Sequence, residues 1–222
     1  MNYPRIDDSD LAYETGFHLG DGSLGVYSNY QYRYALSGNK KTESGFYRLL
    51  IAPLLKKLYG LTPAMPTYLN SIYAIIYSKS LLSFKSEVIG MPVGPKDALM
   101  HLPHQILCQG ARNRANLISG LYDADGCVKE RKTKSGIYPR ISIAQKNKGI
   151  IDDLHKLLRE FDITSTSYRN DYDDIRVRKV ETRWFLDING YENLWKFAGS
   201  VGSRHPVIRE KLKLFLASSQ RA

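Results

Sequence analysis

Two aspartates in matching settings are the residues of this chain whose type and spacing suggest chemistry. Asp21 lies in FHLGDGSLG, residues 17–25, and Asp125 in LISGLYDADGCV, residues 117–128; each ends an apolar run and precedes a glycine and a strand-like segment. A carboxylate at the C-terminal end of a helix is opposed by the helix dipole, by about 0.3–1 kcal/mol. A single Asp-Gly is ordinary turn chemistry, with the glycine as the left-handed cap. Its recurrence almost half a chain later is not. The two stretches match Gly16 with Gly120, Phe17 with Leu121, Gly20 with Ala124 and Gly22 with Gly126. Gly16 and Gly20, like Gly120 and Ala124, are four apart and share one helical face, where missing side chains let another backbone approach. Two such helices pack most simply on each other, which would bring Asp21 and Asp125 together. Two like charges at close range need a cation between them, and a divalent cation is the usual solution.

The elements that must position these residues also recur. RYALSGNKK followed by FYRLLIAPLLKKLYGL in the first half answers to RISIAQKNK followed by GIIDDLHKLLREFDI in the second. Each is an alternating run, a polar corner and a helix with apolar residues three and four apart. Farther on, IYAIIYSKSLLSFKSEVIG answers to TRWFLDINGYENLWKFAGSVG, both reading as strand, tight turn and helix. The fold class expected is α+β, two pseudo-symmetric halves at residues 1–111 and 112–222, each helix, two strands, helix, two strands, helix.

The 222 residues carry 32 Lys and Arg against 22 Asp and Glu, a net charge of +10, which favours a polyanionic partner, nucleic acid foremost. The charge is uneven, with 10 basic against 8 acidic residues in 1–111 and 22 against 14 in 112–222. Cys108 and Cys127 have neither disulfide-framework nor metal-ligand spacing, so a reducing interior is expected and a zinc site is not. The first residues lack the order of a signal peptide and no run approaches a membrane span. A soluble, cytoplasmic protein follows, with no membrane partner.

On ISGLYDADG and the looser TGFHLGDG, the chain resembles the LAGLIDADG homing endonucleases in their single-chain, two-motif form. Through IAPLLKKL it is most similar to the small archaeal members encoded in ribosomal RNA introns. Asp123 keeps the first acidic position of the signature, and Leu19 replaces it in the first copy. The resemblance implies two αββαββα halves packed through the motif helices, with curved antiparallel sheets forming a saddle for duplex DNA. It implies a monomer that hydrolyses both strands across the minor groove of a long asymmetric site and so promotes intron mobility. Mg²⁺ is the implied cofactor, with Mn²⁺ as substitute, held by Asp21 and Asp125 and by the carbonyls of Gly20 and Ala124. Intron RNA is a further partner if the chain acts as a maturase; a non-cleaving DNA-binding regulator is the other alternative, and it would be expected to lack a motif-terminal carboxylate.

The resemblance also assigns water-positioning roles to the polar corners. Gln145 and Lys146 are the candidates in AQKNK; SGNKK lacks the glutamine, which leaves Asn39 and Lys40. Lys129 either contacts the scissile phosphate or is a solvated loop lysine. Strand alternation places Ile137, Ile141 and Ile143 on one face and Tyr138, Arg140 and Ser142 on the DNA-facing one. In YQYRYALS, the set Tyr30, Tyr32, Tyr34 and Leu36 is apolar, and Gln31, Arg33 and Ser37 point outward. Arg and Gln are side chains that read base edges in the major groove. Phosphate contacts are expected from Arg131, Lys132 and Lys134, from a last-strand loop carrying Arg169, Arg176 and Arg178, and from Arg183.

Overall fold

The computed structural model describes residues 3–96, 100–133, 136–174 and 179–219. The chain divides into two compact units, Met1–Lys96 with Pro103–Ala124 and Asp97–Leu102 with Asp125–Ala222. The repeat boundary in the sequence is therefore not the boundary of compactness, because the second motif helix packs into the first unit.

The first unit opens with α1 (Ser9–Asp21), started by Asp8, whose carboxylate accepts from Asp10 N at 2.7 Å. β1 (Gly22–Tyr27) follows at once, and a 3₁₀ turn, Ser28–Tyr30, leads to β2 (Gln31–Asn39). Asn29 and Tyr30 take φ of 62° and 56° in that turn. Tyr30 is thus a turn residue, 82% exposed, and not the first of the apolar set expected from alternation. Tyr34 and Leu36 do alternate into the core. One long helix follows: α2 (Lys40–Phe46), a π-helical turn at Tyr47–Ile51, and α3 (Ala52–Tyr59), which Gly60 ends in the left-handed conformation. β3 (Thr67–Tyr68), β4 (Ser71–Tyr77) and α4 (Lys79–Ser83) complete the repeat, with strand order β1-β2-β4-β3, all antiparallel.

After α5 (His104–Leu107), α6 (Ala111–Asp125) crosses α1 at the paired glycines. A β-carbon on Gly16 would stand 2.0 Å from Leu117 O, and one on Gly120 would stand 1.9 Å from Tyr13 O. Neither space exists for any larger residue, which is why the sequence carries helix-interior glycine despite its cost of about 0.5–1 kcal/mol against alanine. Nearly all of α1 is buried, so its polar side chains must be satisfied internally. Glu14 does this for itself. Its carboxylate accepts from Tyr34 OH, from Tyr59 OH at 2.7 Å and from Lys85 Nζ at 2.7 Å, and Lys85 Nζ also donates to Thr15 at 3.0 Å. Burial pushes both phenols up and draws the Lys85 ammonium down against the pull of Glu14.

The second unit repeats the plan. β5 (Gly126–Thr133) and β6 (Gly136–Gln145) pair antiparallel, α7 (Lys148–Arg159) follows, and β7 (Thr166–Asp174) and β8 (Lys179–Asn189) complete a sheet of order β5-β6-β8-β7. Ile150, Ile151, Leu154, Leu157 and Leu158 of α7 are buried, as are Ile141, Ile143, Leu186 and Ile188 of the sheet. Each such side chain contributes about 1.5–3 kcal/mol when fully buried. α8 (Tyr191–Ser200) and α9 (Pro206–Ser219) end the chain. Arg169, expected in a loop, lies in β7. No helix among the described residues is long and apolar enough to cross a membrane.

Candidate active site and nucleic-acid interface

Pairing registers define equivalent positions in the two halves. Gly22 stands opposite Leu36 and Gly126 opposite Ile143, so the strand residue two beyond each is Gly38 in the first half and Gln145 in the second. Gln145 shares the covered face with Ile141 and Ile143, is 6% exposed, and donates its amide to Asp125 Oδ2 at 2.5 Å. The structure therefore brings these two candidates together. Asp125 ends α6 half-buried, whereas Asp123 is buried and accepts from Tyr13 OH at 2.7 Å. One carboxylate of DADG thus fastens the helix pair, and the other meets Gln145 at the helix end.

In the first half, Asp21 ends α1 half-buried, and its carbonyl accepts from Ser37 Oγ at 3.3 Å. Ser37 thereby ties β2 to the end of the helix rather than lying free on the outer face. Asn39 needs correcting. Its side chain accepts from Lys41 N at 2.9 Å and Thr42 N at 3.4 Å, so its oxygen caps α2, and the position matching Gln145 is Gly38. Lys40 is exposed and its backbone N–H donates to Asn70 O.

Lys96 lies at the end of α1 beside the candidate Asp21, a placement that strand and motif reasoning missed. Its ammonium donates to three consecutive carbonyls at the end of α1: His18 O at 3.0 Å, Leu19 O at 2.6 Å and Gly20 O at 3.0 Å. The negative helix end thus already holds a cation through oxygen ligands, one of them the carbonyl of Gly20. That donor set, hard oxygen beside the Asp21 carboxylate, fits a divalent cation such as Mg²⁺. Among the described residues no group of three or more His, Cys, Asp and Glu side chains gathers as a metal cage. Any cation held here would complete its shell with carbonyl, water or phosphate oxygens.

The outer face of the second sheet is polar and already networked. Arg140 donates to Asp187 at 3.1 Å, Tyr168 OH donates to the same carboxylate at 3.3 Å, and Arg131 donates to Asn189 at 3.1 Å. Tyr138 packs edge-on against Tyr191. Ser142 shares the face of Arg140 but is only 4% exposed, too buried to reach a base, because Asp187 stands opposite it in β8. Lys129 is exposed in strand β5, opposite Arg140, not in a loop. Lys132, farther along β5 and opposite Ile137, is exposed and points to the other face. Lys146 pairs with Glu181 at 2.8 Å, and Arg183 approaches the same glutamate at 3.7 Å. Arg169 is forked by Asp171 at 3.0 and 2.8 Å. On the first sheet Gln31 is exposed, and Arg33 lies over the Tyr27 ring at 5.6 Å. Lys134, Arg176 and Arg178 lie outside the described residues.

Comparison with known proteins bears on this geometry. Residues 112–202 match the family model of the LAGLIDADG-like domain. This segment is a LAGLIDADG-like domain. The whole chain has the LAGLIDADG homing-endonuclease fold: it superposes on I-DmoI in complex with DNA and Mn with a TM-score of 0.64 and 20% identity, over 90% of this chain and 99% of that one. Against the LAGLIDADG homing endonuclease I-GzeII in complex with its DNA target, the TM-score is 0.57 and identity 9%, over 94% of this chain and 89% of that one. In sequence, the chain is 28% identical over 210 residues to the tRNA-splicing ligase RtcB of Methanopyrus kandleri, a match over 86% of this chain that spans 20% of that protein.

Proposed function

We propose that this LAGLIDADG protein is a divalent-metal-dependent endonuclease that cuts both strands of duplex DNA at a long asymmetric site, with one active carboxylate from each repeat, 1–111 and 112–222. The observation that carries it is the Asp125–Gln145 pair at the end of a motif helix, with Asp21 ending the partner helix. Support comes from like-folded proteins whose structures hold target DNA with Mn or Ca. The homing role, promoting intron mobility, is the reading that fits such a chemistry, and a monomer fits because both motif helices already share one chain.

Asp21 and Asp125, with the carbonyls of Gly20 and Ala124, are the groups that would hold Mg²⁺ or Mn²⁺. Such a cation, when bound, lowers the pKa of its water and stabilises the leaving oxygen. Gln145 holds the Asp125 carboxylate in one orientation through a charge-assisted hydrogen bond. Lys129 and Lys146 would meet phosphate, Lys146 after leaving Glu181. Arg33 and Gln31 on the first sheet, and Arg131, Arg140, Tyr138 and Arg183 on the second, supply base-edge and phosphate contacts. For Arg140, leaving Asp187 exchanges one carboxylate for a phosphate or base oxygen.

The test is selection of duplexes from a randomised pool by binding in Ca²⁺, followed by incubation in Mg²⁺. The expected result is double-strand cleavage at one position of the selected sequence, abolished by EDTA. Selection of RNA but no duplex would favour the maturase reading, and tight duplex binding without cleavage would favour the regulator.

A further inference from the structure

The two halves differ at one position that bears on catalysis. Where the second half presents Gln145 to Asp125, the first has Gly38, and the space its side chain would occupy is filled from the following helix. A β-carbon on Gly38 would meet Glu43 Oε2 at 2.5 Å and the Tyr47 ring at 2.5 and 2.9 Å. Glu43 is held there by the backbone N–H of Asn39. Tyr47 begins the π-helical turn, an irregularity that recurs at functional sites, and its ring lies edge-on to Phe17 of α1 at 6.0 Å. It is completely buried, yet its hydroxyl has no hydrogen-bond partner among the described residues. An orphaned buried hydroxyl costs roughly 1–3 kcal/mol, so a compensating role is to be sought. After burial, the charges acting most strongly on this phenol are Asp21 and then Glu43; all three raise its pKa and keep it protonated. A protonated, unpartnered phenol whose ring fills the place that matches Gln145 is a donor in search of an acceptor.

We propose that Tyr47 is the first-half counterpart of Gln145, a positioning residue whose hydroxyl donates to the oxygen shell of Asp21, either its carboxylate or the water ordered there. This rests on the endonuclease reading. The second repeat positions its carboxylate from a strand through an amide; the first does so from a helix through a phenol, and Gly38 is glycine because the Tyr47 ring passes through the place of its side chain.

Tyr47→Phe removes only the hydroxyl and keeps the packing. On a duplex selected in Ca²⁺, single-turnover cleavage should slow about 10- to 100-fold on one strand, the usual cost of losing a hydrogen bond behind a metal ligand. The other strand should be cut at the wild-type rate. Duplex affinity in Ca²⁺ should be unchanged, and the melting temperature of the metal-free protein unchanged or raised, since no partner is lost on folding. Gly38→Gln combined with Tyr47→Leu, which removes the ring and leaves only the flexible end of Glu43 to shift aside, restores an amide donor and should recover part of the lost rate. Wild-type cleavage of both strands by Tyr47→Phe would overturn the assignment. Equal slowing of both strands with a lowered melting temperature would also overturn it, as a structural role. A wild-type protein that cuts no selected duplex would instead defeat the endonuclease reading beneath it.

Discussion

Asp123 and Asp125 stand two residues apart in one motif and have opposite fates. The first is buried and spent on Tyr13; the second is half-exposed and oriented by Gln145. Burial and donor identity, not residue type, separate the carboxylate that fastens the helix pair from the one proposed for catalysis. The same reasoning gives His18 a thermodynamic role. Burial, then the charges of Lys85 and Lys96, hold its pKa well below the ordinary 6.5, so the folded protein keeps it neutral. As pH falls through about 6.5 the unfolded chain takes up the proton first, and the native state loses stability until its own lowered pKa is passed. His205, also lowered by burial, acts with the same sign. The loss from one such histidine is at most about 1.4 kcal/mol per pH unit. His18→Gln should therefore flatten the fall in melting temperature between about pH 6.5 and 5. An unchanged slope would place the acid sensitivity elsewhere.

At the scale of elements, the crossing of α1 and α6 is the least tolerant feature of the first unit. Gly16→Ala or Gly120→Ala would drive a methyl group into a backbone carbonyl that cannot rotate away. Either should destabilise by at least the upper end of the ~1–3 kcal/mol typical of overpacking, read as a drop in denaturation midpoint. Alanine at Gly45, where a β-carbon meets nothing, should be neutral or stabilising and serves as the control. This crossing was legible in the sequence because close approach leaves a residue-type signature at four-residue spacing. The element order of both repeats was legible for a similar reason, since periodicity records which face is covered. Asn39 falls one residue past the position that matches Gln145, because a polar corner read without register is uncertain by one residue and only strand pairing shows the match with Gly38. Lys96 was not legible at all: a lysine in a loop carries no local pattern, and its three carbonyl partners come from a distant helix end. Nor was Ser142, whose burial is set by Asp187 on a neighbouring strand.

At the scale of the whole molecule, the excess positive charge belongs mainly to the second repeat, and several of its cations sit in ion pairs that phosphate could replace. If about six phosphates are neutralised, a plot of log affinity against log salt for a selected duplex should have a slope near −5. A flat plot would mean the charge serves something other than DNA. The central claim is narrower, that each repeat contributes one catalytic carboxylate. Asp21→Asn relieves a helix-dipole conflict worth a few tenths to about 1 kcal/mol and should not lower the melting temperature, and Asp125→Asn, where that gain offsets the weakening of the Gln145 bond to a neutral one, should change it little. Both should bind a selected duplex in Ca²⁺ as the wild type does. The deciding measurement is strand-resolved cleavage in Mg²⁺ by the two variants. Loss of cutting on at least one strand in each, with binding and folding intact, is the predicted result; full cleavage of both strands by either variant would contradict the role of that carboxylate.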